Sequence, residues 1–104
     1  MRLRSIEPDE AKKLMDEGAI LIDVREPREN ARESIPGARL QPLSAPDQPP
    51  SGLSGSEPLI FHCQSGARTS MNANRLASRI PAGTDGYVLR GGIEAWRRAG
   101  LPVK

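Results

Sequence analysis

Residues 59–69, LIFHCQSGART, carry an apolar run into a polar loop that begins with the single cysteine of the chain, Cys63. The run Leu59–His62 is short and apolar, which is typical of a strand covered on both faces in a parallel sheet. Helical periodicity resumes after the loop. We therefore expect Cys63 to follow the carboxyl end of a strand, where parallel sheets place their ligands.

Apolar runs alternate with stretches of helical periodicity through the rest of the chain. This alternation predicts an α/β domain with a mostly parallel central sheet flanked by helices. Residues 41–56 are rich in proline, serine and glycine, and we expect them to form a surface connection that adds nothing to the core. The predicted strands are residues 20–24, 38–40, 59–62 and 87–89. The predicted helices are residues 8–17, 25–29, 69–80 and 93–99.

Composition narrows the function classes. The 104 residues suffice for one domain with its own core, so we expect a single domain over residues 1–104. The net charge is +2 with both signs interspersed, which argues against a nucleic-acid partner. No stretch approaches the roughly 18 apolar residues of a membrane span, and no secretory signal is visible, so we expect a cytoplasmic protein. One cysteine and one histidine make neither a disulfide nor a usual zinc site, and we expect no metal or cofactor.

The position of Cys63 favours chemistry over packing. Free cysteines are most often buried core residues. Here, however, the following residues include Ser65, Gly66 and Arg68, which suit an anion better than an apolar core. Backbone N–H groups that converge between a strand end and a helix start favour a negatively charged sulfur, which is the reactive form of cysteine. We therefore expect Cys63 to act as a nucleophile.

Several stretches in a fixed order resemble the rhodanese family, and together they cover residues 6–103. The chain is most similar to the soluble rhodanese domain of membrane-anchored bacterial sulfurtransferases. It departs from the family pattern at Asn30, Glu33 and Ser34, where an aromatic residue, glycine and histidine are common. The stretches that carry the resemblance are LIDVRE at residues 21–26, IPGA at 35–38, CQSGART at 63–69, LRGGIEAW at 89–96 and AGLPV at 99–103.

The resemblance implies a thiosulfate sulfurtransferase that works in two steps. Cys63 takes a sulfane sulfur from a donor such as thiosulfate, and the resulting persulfide passes it to a thiol, to cyanide or to a partner protein. Because the chain has no second cysteine, the acceptor comes from outside. The loop residues expected to bind substrate are Gln64, Ser65, Gly66, Ala67, Arg68 and Thr69.

Supporting roles are expected for Asp23 and Arg25, which end a predicted strand near the same sheet edge as Cys63. They either contact substrate or fix neighbouring loops through ion pairs. Arg68 either binds the sulfonate end of thiosulfate or braces the loop by bonding Asp23. His62 is not expected to act as a base, because adjacent strand residues point to opposite faces.

Two other functions compete with sulfur transfer. Related phosphatases use a C-x-x-x-x-x-R loop, which is one residue longer than the C-x-x-x-x-R loop of this chain and holds a tetrahedral phosphoryl group. The loop also lacks a carboxylic acid to protonate a leaving alcohol. A persulfide carrier or binding module for a partner protein would have the same sequence features as an enzyme.

Overall fold

The computed structural model describes residues 3–104, which form a central sheet with helices on both faces. Every strand pairing among these residues is parallel, and the strand order is β1-β5-β4-β2-β3. The α/β class predicted from the sequence is therefore confirmed. The strands are β1 (Arg4–Ile6), β2 (Ile20–Asp23), β3 (Arg39–Leu40), β4 (Leu59–His62) and β5 (Gly86–Leu89). The helices are α1 (Pro8–Asp16), α2 (Pro27–Arg32), α3 (Ala67–Met71), α4 (Ala73–Ala77) and α5 (Gly92–Arg98).

Strand β4 lies in the middle of the sheet, and its register sets the edge at which the loop begins. Asp23 of β2 pairs with His62 of β4, so these two strands end at the same level. Phe61 pairs with Val88 of β5 on the other side. All three strands run in the same direction, and their carboxyl ends meet beside Cys63.

Two apolar clusters cover the two faces of the sheet. Because strand side chains alternate, neighbouring residues contribute to different clusters. One cluster contains Leu21 and Ile60 and packs against α1 and α5 through residues such as Trp96. The other contains Phe61 and Cys63 and is covered from the α4 side. Within residues 3–104, no helix has both the length and the apolar character needed to cross a bilayer.

The long helix predicted over residues 69–80 is wrong, because α3 and α4 are two short helices separated at Asn72. This residue has φ −114° and ψ 23°, which is not helical. Its side-chain Nδ2 donates to the carbonyl oxygen of Arg68 at 2.8 Å and so competes with the helical hydrogen bonds. The predicted apolar face survives the break, since Thr69, Leu76 and Ile80 are all buried.

Strand β1 was not predicted from the sequence. It has three residues, of which only Ile6 is buried, so it shows no period that could be recognised. Its pairing with β5 comes from tertiary structure. The strand predicted over residues 59–62 coincides with β4. The other predicted strands and the helices predicted over residues 8–17, 25–29 and 93–99 are present, with ends that differ by at most three residues.

The expectation that residues 41–56 add nothing to the core is also wrong. Leu43 and Leu53 pack against the apolar cluster that contains Cys63. The guanidinium group of Arg79 is fully buried, donates to Asp47 Oδ1 at 3.0 Å and to the Ala45 carbonyl oxygen at 3.0 Å, and reaches three further carbonyls of residues 41–43. A buried cation needs such partners, so this connection is held firmly against the end of α4.

Replacement of Arg79 by methionine should lower the free energy of unfolding by about 3 kcal/mol, because several buried carbonyl oxygens lose their donor. Urea denaturation measures this loss. The matched control is Arg75→Met, since Arg75 bonds the same Asp47 and the same Leu43 carbonyl but is 47% exposed. The control should lose less than about 1 kcal/mol. Equal losses would mean that the burial of Arg79 does not matter.

Candidate active site

Cys63 directly follows β4, and its sulfur lies beneath the loop that leads into α3. The Gly66 N–H group donates to Sγ at 3.1 Å, and Thr69 Oγ1 lies 3.9 Å from the same sulfur. The Cys63 side chain has no exposed surface and belongs to an apolar cluster. Of the loop amides expected to converge on the sulfur, only that of Gly66 is bonded to it within residues 3–104, and the sulfur is covered rather than open to solvent.

The first turn of α5 holds the backbone of the loop. Ile93 N donates to the Cys63 carbonyl oxygen at 3.0 Å, and Glu94 N donates to the Gln64 carbonyl oxygen at 3.1 Å. In a trans peptide the C=O and N–H groups point in opposite directions. These two bonds therefore turn the N–H groups of Gln64 and Ser65 away from α5 and fix their orientation.

The glycine pair Gly91 and Gly92 permits this close approach. A Cβ atom on Gly92 would lie 2.5 Å from the carbonyl oxygens of both Cys63 and Gln64. Gly92 also has φ +63°, which side chains other than glycine rarely adopt. Sequence reasoning included the pair only within the LRGGIEAW stretch and did not predict this contact. The available signal was two consecutive glycines between a strand and a helix.

Asp23 and Arg25 form a buried ion pair at the end of β2. Arg25 Nη2 lies 2.9 Å from Asp23 Oδ2, and the two side chains are 2% and 0% exposed. Burial acts to raise the pKa of Asp23, but hydrogen bonds from Arg25 and Asn30, together with the charge interaction with His62, outweigh it and hold the pKa below its ordinary value. Arg25 Nη2 also donates to the Glu33 carbonyl oxygen at 2.7 Å. Of the two roles expected for Asp23 and Arg25, these contacts match the one in which the ion pair fixes neighbouring loops.

The Gln64 side chain connects this ion pair to α5. Its Oε1 accepts a hydrogen bond from Arg25 Nη1 at 3.1 Å. Its Nε2 donates to Glu94 Oε2 at 3.2 Å. Both ends of the amide are thus bonded to the protein, so the side chain ties the loop to the elements on either side of it.

Arg68 pairs with Glu29 of α2 rather than with Asp23. Its two terminal nitrogens donate to the two carboxylate oxygens at 2.9 and 2.8 Å. The bond from Arg68 is the main reason that the pKa of Glu29 falls to about 2. The same bond raises the pKa of Arg68. The guanidinium charge expected to meet an anionic donor is therefore already neutralised by a carboxylate.

His62 lies on the opposite side of the strand from the Cys63 sulfur. Its Nδ1 is 3.0 Å from the Cys63 carbonyl oxygen, and since a carbonyl only accepts, Nδ1 carries the proton. Nε2 has no hydrogen-bond partner among residues 3–104 and lies 3.8 Å from Asp23 Oδ1. Burial lowers the pKa of His62 despite the attraction of Asp23. His62 therefore positions the loop backbone and is not placed to act as a base.

Two cavities flank the loop, and Cys63 lines neither. One has a volume of about 390 Å³ and includes Ser65, Gly66, Ala67 and Thr69 in its wall. The other has a volume of about 290 Å³ and lies on the side of α2. Its wall is formed by Arg25, Glu29, Arg32, Glu33 and Gln64. The predicted loop residues are thus brought together around one sulfur but face different cavities.

Replacement of Gly92 by alanine should lower the free energy of unfolding by about 3 kcal/mol, because the new methyl group would displace the carbonyls of the loop. Gly83→Ala is the control, since Gly83 has φ +81° and a Cβ atom there would meet no other atom within 4 Å. Backbone strain alone should cost that variant about 1 kcal/mol. Urea denaturation of both proteins measures the difference, and similar losses would contradict the contact between Gly92 and the loop.

The buried neutral His62 should make stability fall as the solution becomes acidic. In the unfolded chain His62 binds a proton near its ordinary pKa of 6.5, whereas in the folded chain its pKa is lower. Its full contribution to stability is therefore present above pH 6.5 and declines as the pH falls below that value. Asp23 and Glu29 have lowered pKa values, so their contributions to stability are lost only below pH 3.8 for Asp23 and below pH 4.5 for Glu29. Thermal unfolding between about pH 5 and pH 7 should show this slope, and His62→Gln should flatten it. The same slope in both proteins would assign the effect elsewhere.

Comparison with known proteins agrees with this arrangement. Residues 7–99 match the family model described as "Rhodanese-like domain". An uncharacterized protein of Synechocystis is 39% identical over 103 residues, which cover 95% of this chain and 55% of that protein. A protein of Allochromatium vinosum named "Sulfurtransferase" is 34% identical, with 84% and 79% of the two chains covered. This chain thus spans about half the length of the first of these relatives.

A solved structure of a rhodanese-related protein has the same fold. A rhodanese-related protein of Thermoplasma volcanium superposes with a TM-score of 0.79 at 26% identity, with 97% of each chain covered. The family match extends over most of the chain, from the residue before α1 to the end of α5. The matched residues include strand β4, the cysteine loop, and the glycine pair Gly91 and Gly92. The chain belongs to the family of rhodanese-like domains.

Proposed function

We propose that this protein is a sulfurtransferase that carries sulfane sulfur as a persulfide on Cys63. The observation that carries the proposal is the hydrogen bond from the Gly66 N–H group to Sγ at 3.1 Å. A hydrogen-bond donor directed at the cysteine sulfur stabilises its thiolate, and the thiolate is the form that attacks sulfane sulfur. The relatives of this chain named as sulfurtransferases support the same reaction.

The proposed cycle has two displacements at sulfur. The Cys63 thiolate attacks the outer sulfur of thiosulfate, the S–S bond of the donor breaks, and sulfite leaves with the bonding electrons. An acceptor thiolate or cyanide then attacks the outer sulfur of the persulfide, and the Cys63 thiolate leaves. Both steps balance without an oxidant, a metal or an organic cofactor.

The loop backbone performs the electrostatic part of this chemistry. Helix α3 has only five residues, so its dipole is small and the local N–H groups dominate. The bonds from Ile93 and Glu94 fix the loop before the reaction begins, so little reorganisation is needed as charge moves between sulfurs. Thr69 Oγ1 donates to the Gly66 carbonyl oxygen at 3.1 Å and keeps the turn closed around the sulfur.

Burial of the sulfur adds a step to the cycle. The donor reaches Sγ only after the loop moves aside, because the Cys63 side chain has no exposed surface. The turn of the loop at Gly66 has φ +95°, and its Cβ position would lie 3.1 Å from Gly91 N. Displacement of Ser65 and Gly66 away from Gly91 would open the site from the side of the larger cavity, while the carbonyl groups of Cys63 and Gln64 stay bonded to α5.

The acceptor in the proposed reaction is external, because Cys63 is the only cysteine. A small thiol or a thiol on a partner protein fits this requirement, so an enzyme and a persulfide carrier share the same first step. Thiol acceptors of this kind are available in a reducing compartment, and we place the protein in the cytoplasm. The proposed cycle uses neither nucleic acid nor a membrane.

Incubation with thiosulfate should add the mass of one sulfur atom to the intact protein. Mass spectrometry measures the adduct, and cyanide or dithiothreitol should remove it, because both attack the outer sulfur. Cys63→Ser should never form the adduct. The matched control is Ser65→Ala, which changes a hydroxyl in the same loop but leaves the nucleophile in place.

Two outcomes would overturn the proposal. Absence of the adduct at every thiosulfate concentration, together with an unreactive thiol, would indicate a binding module. Hydrolysis of an aryl phosphate would indicate a phosphatase, which the short C-x-x-x-x-R loop does not favour.

A further inference from the structure

Two arginines in or beside the cysteine loop are already paired with carboxylates. Arg25 is neutralised by Asp23, and Arg68 is neutralised by Glu29. On the outer side of α2, Glu33 pairs with Arg97 of α5. An incoming anion therefore meets ion pairs where the sequence alone suggests free arginines.

Arg68 is the cation of the loop itself, and both of its terminal nitrogens are bonded to one carboxylate. The two parallel bonds to Glu29 measure 2.9 and 2.8 Å, which is the geometry of a strong arginine–carboxylate pair. Arg68 lies in the same loop as Cys63, five residues after it. Glu29 has a pKa of about 2 and stays ionised throughout the physiological range.

Sulfur donors differ in the charge that they bring to this site. Thiosulfate is a dianion, so together with the Cys63 thiolate it places three negative charges in a small volume, and the leaving sulfite is again a dianion. A thiol persulfide in its neutral form leaves only the single charge of the thiolate. Like charges at short distance are costly away from water unless free cations compensate them.

Resting on the proposed function, we propose that Glu29 sets the donor class by occupying Arg68, so that the site prefers thiol persulfides to dianionic donors such as thiosulfate. In the preferred reaction the Cys63 thiolate attacks the outer sulfur of R–S–SH. The donor S–S bond breaks, the thiolate RS⁻ leaves with the electron pair, and Cys63 becomes the persulfide Cys–S–SH. Atoms and charge balance, and no further reactant is needed.

Two other cations line the cavities beside the loop. Arg90 lines the larger cavity, but it is exposed and lies 3.4 Å from Glu7. Arg32 lines the smaller cavity together with Glu29. It has no ion pair or side-chain hydrogen bond within residues 3–104 and is exposed. Solvent screens an exposed charge, so its attraction for a donor is weak compared with that of the arginine in the loop. The choice of donor therefore depends on the pair between Arg68 and Glu29.

The test compares thiosulfate with glutathione persulfide as donors to the full chain, with cyanide as acceptor. Wild-type protein should show a kcat/KM at least about tenfold higher for the persulfide. Glu29→Gln frees the guanidinium of Arg68 and should raise kcat/KM for thiosulfate about tenfold, mainly through a lower KM, while the persulfide value changes less than about twofold. Glu33→Gln removes the same charge from the end of α2 but leaves Arg68 paired, so it should keep the wild-type donor ratio.

A wild-type preference for thiosulfate would overturn the inference without any variant. An equal fall in both activities of Glu29→Gln would do the same, because it would show that the carboxylate only supports the loop. In both cases the proposed function would stand, since Cys63 would still turn over. Failure of both donors to load Cys63 in the wild-type protein would instead overturn the proposed function itself.

Discussion

The two hydrogen bonds from the first turn of α5 to the carbonyls of Cys63 and Gln64 are the constraint on which the site depends. They fix the direction of the peptide groups that follow Cys63, and they require a residue without a side chain at position 92, because a Cβ atom there would clash with both carbonyl oxygens. The site is therefore built by contact between two loops at one sheet edge, the loops after β4 and β5. A cysteine at the end of a strand would lack this orientation without them.

A polar layer supports that contact from the other side. Asp23, Arg25 and Gln64 form a continuous chain that ends at Glu94 of α5. Each member is satisfied by another member, so the layer tolerates burial at the carboxyl end of β2. The cost of this arrangement is that the arginines near the sulfur carry little uncompensated charge.

Sequence reasoning succeeded where a local pattern determines the structure. The apolar runs at residues 20–24 and 59–62 predicted β2 and β4, and the predicted strand before Cys63 correctly placed this residue after the carboxyl end of β4. It failed where long-range contacts decide. The pairing of Arg68 with Glu29 joins residues 39 positions apart, and the burial of Arg79 depends on carbonyls of a distant connection. The spacing of apolar residues along the chain does not indicate which distant residues will form ion pairs or hydrogen bonds.

Concealment of the Cys63 sulfur has a consequence for its survival. Peroxide and electrophiles reach a thiolate by diffusion, and their damage grows with the time that the sulfur spends uncovered. A nucleophile stored under its own backbone is vulnerable only during the brief intervals when the cover lifts. In the proposed cycle, the turn whose Gly66 N–H group donates to the sulfur also shelters that atom between turnovers and so lengthens its chemical lifetime.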